Sequence, residues 1–383
     1  MKIVADVNIP FVEECFSSVG EVELLGGREI TPKVVKDADA LLVRSVTAVN
    51  AQLLVGSGVR FVGTATIGFD HVDVEYLRGN NIGFASAPGS NANSAAEYIV
   101  AALLEIGHKH QIQLEGKSIG IIGVGNVGSK VAAKCEALGM RVYRNDPPLR
   151  RQTGDSKYLP IEELFDCDFI TLHTPLTLEG ADKTFHLVDE RFFKSLKHGC
   201  VFLNASRGAV HDTSALKAAI KLGVLKAVAL DVWENEPDID TDLLQLVDLG
   251  TPHIAGYSLD GKIAGMIMIY EALCEYFGLR SKFVVEDFLP EPEVPELHID
   301  SHGRDDEDLL LDAVRQVYDI RKDDAHLRQI LGKPDESRGR FFDRLRKKYS
   351  IRREFQNTTV VIENMGSTLA GKLSGIGFLL GQE

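Results

Sequence analysis

The chain lacks most of the features that would place it in a specialised class. Nowhere does it carry the roughly 18 consecutive apolar residues needed to span a bilayer, so no membrane partner is expected. Its opening, MKIVADVNIP, has no long apolar run and no cleavage-like site, and no signal peptide is expected. Its five cysteines, Cys15, Cys135, Cys167, Cys200 and Cys274, show no paired spacing. They build neither a disulfide framework nor a zinc site and fit a reducing cytoplasm. Positive charge is also scarce: 42 Lys and Arg face 56 Asp and Glu, a formal net charge of -14. That balance argues against a nucleic-acid partner, although it leaves room for a local basic pocket. No repeat and no low-complexity tract occurs. His298 and His302, in HIDSH, have no cysteine or ordered acid set beside them, so no metal is expected.

What is present is a long, ordinary soluble composition, 44 % apolar and 26 % charged over 383 residues. That length exceeds one core, and two or three domains are expected. KIVAD, ALLVR and RFVGTA read as buried strands separated by helical patterns, which implies a parallel sheet. Residues 91–110, NANSAAEYIVAALLEIGHKH, read as a helix. A second alternating series follows, with strands SIGIIG, RVYRND, DFITLH, CVFLNA and KAVALD. The expected fold class is therefore α/β, two Rossmann-like or flavodoxin-like parallel-sheet domains with a cleft between them. After Gly278 the segment EDFLPEPEVPELHIDSHGRDDED, rich in proline and acid, reads as a linker. Beyond it lie a helical pattern near 309–331, a basic stretch near 338–353 and the strand-like TTVVIE, a third, small α+β unit of roughly 90 residues.

The chemistry gathers at strand ends. Gly123, Val124, Gly125, Asn126, Val127 and Gly128 follow the strand SIGII and open a helical pattern. The first glycine permits a tight turn, the second a close backbone approach to a pyrophosphate, and the third close packing of helix on strand. About 20 residues on, Asp146 ends the strand RVYRND, where a carboxylate accepts hydrogen bonds from a ribose and repels a 2′-phosphate. That favours NAD over NADP, with Arg144 as a mild contrary signal. Three more groups end later strands. Arg207, in NASRG, can hold a carboxylate through two parallel hydrogen bonds, or form a surface ion pair. Glu236, in DVWENEP, is a paired acid or a solvated loop residue. His253, in PHIAG, is a base or a helix cap. Together they supply what oxidation of a hydroxy acid requires: a carboxylate clamp, an acid and a base beside a dinucleotide fold.

GVGNVG, NASRG, DVWENEP and PHIAG, in this order and spacing, resemble the D-isomer-specific 2-hydroxyacid dehydrogenase family, and the resemblance covers essentially the whole chain. VRSVT (Val43–Thr47), GTATIGFDHVD (Gly63–Asp73), HIAGYSLDGK (His253–Lys262) and a separate C-terminal unit narrow it to members acting on a phosphorylated hydroxy acid. The resemblance implies Arg207, Glu236 and His253 as catalytic residues. It implies NAD contacts at the glycine loop, Asp146, Thr174, Ala205, Ser206, Arg207, Asp231 and Gly256. Substrate contacts are implied at Ser45, Thr66 and Tyr257, the last expected one helical turn beyond His253. Arg44, beside Ser45, is a further candidate for the phosphate. The implied domains are 1–92 with 257–285 for substrate, 93–256 for NAD, and 286–383 for homodimerisation. The basic stretch, including Arg352 and Arg353, reads either as a solvated face or as a source of cations for the partner's pocket. Two rival readings fit the same residues: a dehydrogenase of another acid, such as 3-phosphoglycerate, and an NAD-sensing binding protein of the corepressor kind.

Overall fold

The structure, a computed structural model, describes residues 1–363 and 366–381. It divides into two compact units: Met1–Ala92 with Ser258–Glu291, and Asn93–Tyr257 with the described residues from Pro292 on.

The first unit is a five-stranded sheet. Strands β1 (Lys2–Asp6), β2 (Glu21–Leu25), β3 (Ala40–Val43), β4 (Phe61–Thr64) and β5 (Gly83–Ala85) lie in the order β2-β1-β3-β4-β5. All its pairings are parallel. This is the flavodoxin-like order. The central strands β3 and β4 are buried at every residue, as a sheet covered on both faces demands. The helix Leu259–Tyr276 supplies one cover, its Ile263, Met266, Tyr270 and Leu273 packing with Ile3, Leu42 and Phe61.

The second unit holds a six-stranded sheet of β6 (Ser118–Ile122), β7 (Arg141–Asn145), β8 (Phe169–Leu172), β9 (Cys200–Asn204), β10 (Leu225–Leu230) and β11 (Leu249–Gly250), ordered β11-β10-β9-β8-β6-β7. All its pairings are parallel as well. The strand order reverses between β6 and β8, and ligands bind in open α/β sheets at such a switch point. The helices Ala92–His110 and Asn126–Ala137 cover one face, over Ile119, Ile121, Phe169 and Leu203.

The chain from Pro292 on adds strands β12 (Glu296–Ile299), β13 (Thr359–Ile362) and β14 (Leu379–Leu380), parallel and in that order. Helices Asp306–Val317, Ile320–Arg328 and Asp335–Lys347 lie between β12 and β13, and Ser367–Ile376 precedes β14. Leu297, Ile299, Leu310, Val360 and Leu373 belong to the same apolar cluster as Ile99, Ile119 and Phe169. The segment that reads as a linker therefore contains a strand, β12. Glu296 and His298 point outward and Leu297 and Ile299 inward, so half its residues look like linker residues. The edge strand β2 and the short β5 and β14 were also not expected. Among the described residues no helix is long and apolar enough to cross a membrane.

Candidate active site

The glycine loop lies at the switch point of the six-stranded sheet. Gly123 has φ +87°, and a Cβ there would come within 2.7 Å of the His173 carbonyl oxygen. A Cβ on Gly128 would sit 2.0 Å from the Gly123 oxygen, so only glycine lets the helix start this close to β6. Gly125 is different: nothing lies within 4 Å of its missing Cβ, and its backbone opens onto free space at the N-terminus of the 126–137 helix. The first-turn amides of a helix have no partner within it, and such a terminus attracts phosphate. Asp146 accepts from the Val124 amide through Oδ2 (2.8 Å) and from the Leu149 amide through Oδ1 (2.9 Å). Those two bonds fix the carboxylate beside the loop and leave it lone pairs for a ribose. Arg144, the contrary signal, is paired with Glu136. Across the switch point, Thr174 Oγ1 and His173 Nδ1 are buried without a partner among the described residues. A buried polar atom left unmade is costly, and a polar ligand there would satisfy it. The loop, the fixed carboxylate and the orphaned hydroxyl fit a dinucleotide. Nothing in the sequence singled out His173, although it ends DFITLH beside the glycine loop. Burial drives its imidazole down to about 3, so it is neutral.

Arg207 is held by Asn204, which is 1 % exposed. Asn204 Oδ1 accepts from the Ser206 amide (3.0 Å) and hydroxyl (2.9 Å), and its Nδ2 donates to the Arg207 oxygen (3.0 Å). These bonds wire Ala205, Ser206 and Arg207 into a fixed turn after β9. Arg207 Nη1 donates to its neighbour's carbonyl, Ser206, at 2.8 Å, and among the described residues no carboxylate pairs with it. The surface ion pair that was the alternative does not form. A Cβ on Gly208 would lie 2.0 Å from the Trp233 carbonyl, so this turn is pressed against the loop that carries Glu236.

Glu236 and His253 meet: Nδ1 and Oε2 are 2.7 Å apart. Burial pushes the Glu236 carboxyl up. The charge of His253, its hydrogen bond, the Trp233 amide and the charge of Arg346 outweigh burial, and the carboxyl lies below its usual range. An ionised carboxylate can only accept, so Nδ1 carries the proton and Nε2 is the reactive nitrogen. His253 is not a helix cap; the following helix is capped by Ser258, whose hydroxyl accepts from the Gly261 amide at 2.8 Å. His253 instead occupies a left-handed turn, φ +57°, uncommon for a residue with a Cβ. Asp231 enforces the turn. Its carbonyl accepts from the His253 amide (2.7 Å), and its carboxylate from Thr251 Oγ1 (2.6 Å) and the amides of Ile254 (2.8 Å) and Ala255 (2.9 Å). Asp231, expected to contact cofactor, thus spends its carboxylate on the catalytic loop. Gly256 lies in the turn that follows.

Tyr257 does not lie one helical turn beyond His253, because residues 253–257 are turn and coil. Its hydroxyl accepts from Arg346 Nη2 at 3.2 Å. The basic stretch is not a solvated face throughout: Arg352 and Arg353 are 5 % and 8 % exposed. Arg352 donates to the carbonyls of Ser94 (2.6 Å) and Ala255 (2.9 Å) and lies over the Tyr318 ring. It braces the catalytic loop of its own chain, so it is not a cation free for a partner.

The remaining candidates end β3 and β4 of the first unit. Arg44 Nη1 donates to the Asn8 carbonyl at 3.0 Å, and Ser45 beside it is exposed. Thr66 Oγ1 donates to Gly68 (2.9 Å) and lies 2.6 Å from Thr64 Oγ1, which in turn meets His71 Nε2. No group of three or more potential metal ligands occurs among the described residues.

A parallel sheet with a glycine-rich switch point, and an arginine and a His–carboxylate pair on later strand ends, define an NAD-dependent 2-hydroxyacid dehydrogenase. Residues 95–255 match the model of the D-isomer specific 2-hydroxyacid dehydrogenase, NAD binding domain, and residues 288–377 that of a domain of unknown function. Erythronate-4-phosphate dehydrogenase of Hahella chejuensis is 43 % identical over 380 residues, 99 % of either chain, and that of Yersinia pestis is 45 % identical over the same coverage. NAD-bound 3-phosphoglycerate dehydrogenase of Entamoeba histolytica superposes with a TM-score of 0.61 at 26 % identity, covering 76 % of this chain and 99 % of its own. The chain belongs to the erythronate-4-phosphate dehydrogenase family.

Proposed function

We propose that the protein oxidises the C2 hydroxyl of 4-phospho-D-erythronate to (R)-3-hydroxy-2-oxo-4-phosphobutanoate, with NAD, on the route to pyridoxine 5′-phosphate. The relatives' shared name supports the substrate, and the 2.7 Å His253–Glu236 pair carries the chemistry. Gly123–Gly128, Asp146, Thr174 and Ala205–Arg207 would hold the dinucleotide. When bound, NAD supplies the hydride acceptor.

The chain's own groups do the rest. The planar fork of Arg207 binds the substrate carboxylate and fixes C2. His253 Nε2 takes the hydroxyl proton as the C2 hydride departs, a transfer worth about 10²–10⁴-fold in rate. Glu236 holds the ring through Nδ1 and stabilises the imidazolium that results. Arg44, Ser45, Thr66 and Tyr257 are assigned to the rest of the substrate. The C-terminal segment is assigned to homodimerisation, supported by its exposed edge strand, where Leu379 and Leu380 are 53 % and 41 % exposed. Light scattering at the mass of a single chain would count against a dimer. Five free, buried cysteines support a cytoplasmic location, which cell fractionation checks.

The decisive measurement is NADH formation with 4-phosphoerythronate, alongside 3-phosphoglycerate and D-lactate, with a reoxidising acceptor present in case NADH stays bound. Turnover should be fastest with 4-phosphoerythronate. A preference for 3-phosphoglycerate would replace the substrate, and silence with all three would leave the binding-protein reading.

A further inference from the structure

A phosphorylated hydroxy acid carries two anions, a carboxylate beside the reacting carbon and a phosphate at the far end. Arg207 answers the first. In the same compact unit a second guanidinium, Arg346, has no counterion among the described residues. It lies on the helix Asp335–Lys347, in the segment matching a domain of unknown function. Its Nη2 donates to the Tyr257 hydroxyl at 3.2 Å, and its guanidinium lies 5.8 Å over the Tyr257 ring. Its Nε is buried and has no partner among the described residues, and no carboxylate lies within ion-pair distance of it.

Three other arginines of the basic stretch already have partners. Arg352 is bonded to two backbone carbonyls, Arg338 is paired with Asp335, and Arg344 lies over Phe341. Arg346 is placed close to the chemistry by its helix. A Cβ on Gly339 would lie 2.5 Å from Asp238 Oδ1 and 3.3 Å from Pro237, so this glycine seats the helix on the loop that presents Glu236. The charge of Arg346 is felt at the Glu236 carboxyl. A half-buried guanidinium with no carboxylate paired to it among the described residues, beside a catalytic loop, is placed to take an anion, and a phosphate with three acceptor oxygens matches its fork.

We propose that Arg346, with the Tyr257 hydroxyl it holds, binds the phosphate of the substrate from within the same subunit. The C-terminal segment then helps to select the substrate. This rests on the proposed function, because it needs a phosphorylated substrate at His253.

The test compares full-length wild type, Arg346→Gln and Arg346→Lys, each on 4-phosphoerythronate and on erythronate without phosphate. The readout is the ratio of the two kcat/KM values. Loss of one charge-assisted hydrogen bond should cut the wild-type preference for the phosphorylated acid roughly 10- to 100-fold in Arg346→Gln, mainly through KM. Arg346→Lys, which keeps the charge but not the fork, should fall between, and it carries the comparison if the glutamine variant is insoluble. An unchanged ratio overturns the proposal, whether activity falls equally on both substrates, as it would if Arg346 only tuned Glu236, or does not fall. Wild type inactive on 4-phosphoerythronate would instead overturn the functional reading, and the phosphate role with it.

Discussion

Glu236 is a buried carboxylate kept ionised by its neighbours. Burial alone would protonate it; the imidazole, the Trp233 amide at 2.8 Å and the nearby arginine reverse that. It therefore faces His253 as an anion throughout the neutral range and stabilises the imidazolium more than the neutral ring. Oxidation leaves the proton of the hydroxyl on the ring, so the transition state gains more from this carboxylate than the ground state does. Glu236→Gln keeps the shape and removes the charge. The maximal rate should fall roughly 10²-fold, because the imidazolium formed in the reaction loses its partner. Steady-state kinetics of both proteins at one neutral pH check this, and an unchanged kcat in Glu236→Gln would break the pairing. The pair was legible in the sequence because DVWENEP and PHIAG end consecutive strands. The left-handed turn at His253 was not. It is imposed by Asp231, 22 positions earlier, whose carboxylate gathers the amides of Ile254 and Ala255, and no local pattern records such a bond.

At the scale of elements, strands buried on both faces were legible as continuous apolar runs, as ALLV and FITL show. The edge strand β2 and the short β5 and β14 were not, and β12, with one wet face, hid in an acidic, proline-rich stretch. Nor did any pattern foretell that Arg352–Asn357 docks on the 92–110 helix. Glu97, 1 % exposed, accepts from Asn93 Nδ2 and from the Phe355 amide, both at 3.0 Å, while its Oε2 has no partner among the described residues. Burial, then the nearby Glu354, pushes its carboxyl up to about 8, against the opposing charges of Lys134 and Arg352. The folded chain thus keeps a proton that the unfolded chain releases near 4.5. Stability from this group is full below that pH, falls as pH rises toward 8, and is flat above. The slope is at most about 1.4 kcal/mol per pH unit. Glu97→Gln has no such proton to hold. Denaturant unfolding followed by Trp233 emission should show the wild type losing ground to the variant between pH 5 and pH 8. Parallel stability curves would show that Glu97 is ionised in the folded chain.

For the whole molecule, the hardest boundary to read is the one near Pro292. A composition shift there looks like the start of an independent domain, because sequence shows where polar residues crowd but not which core the next apolar residues join. Leu297, Ile299, Leu310, Val360, Leu373 and Ile376 are each at most 6 % exposed and share a cluster with the helices 92–110 and 126–137. A Cβ on Gly375 would come within 2.3 Å of Ala137 Cβ, which measures how closely the last helix lies on the 126–137 helix. Each fully buried aliphatic side chain contributes about 1.5–3 kcal/mol. Six of them amount to roughly 9–18 kcal/mol, as much as the net stability of a typical domain, about 5–15 kcal/mol. If the segment serves only to dimerise the chain, as the resemblance implies, deleting the residues after Pro290 would yield monomers. The shared core predicts otherwise: a chain ending at Glu291 should leave the apolar face of those two helices uncovered, bind a hydrophobic dye or aggregate, and fail to bind NAD, since the 126–137 helix carries the glycine loop. Gel filtration, dye fluorescence and calorimetric titration with NAD read the three outcomes. A soluble, monomeric truncated chain that binds NAD with wild-type affinity would show that the dinucleotide unit folds without the segment, and that the shared cluster is an interface between two domains.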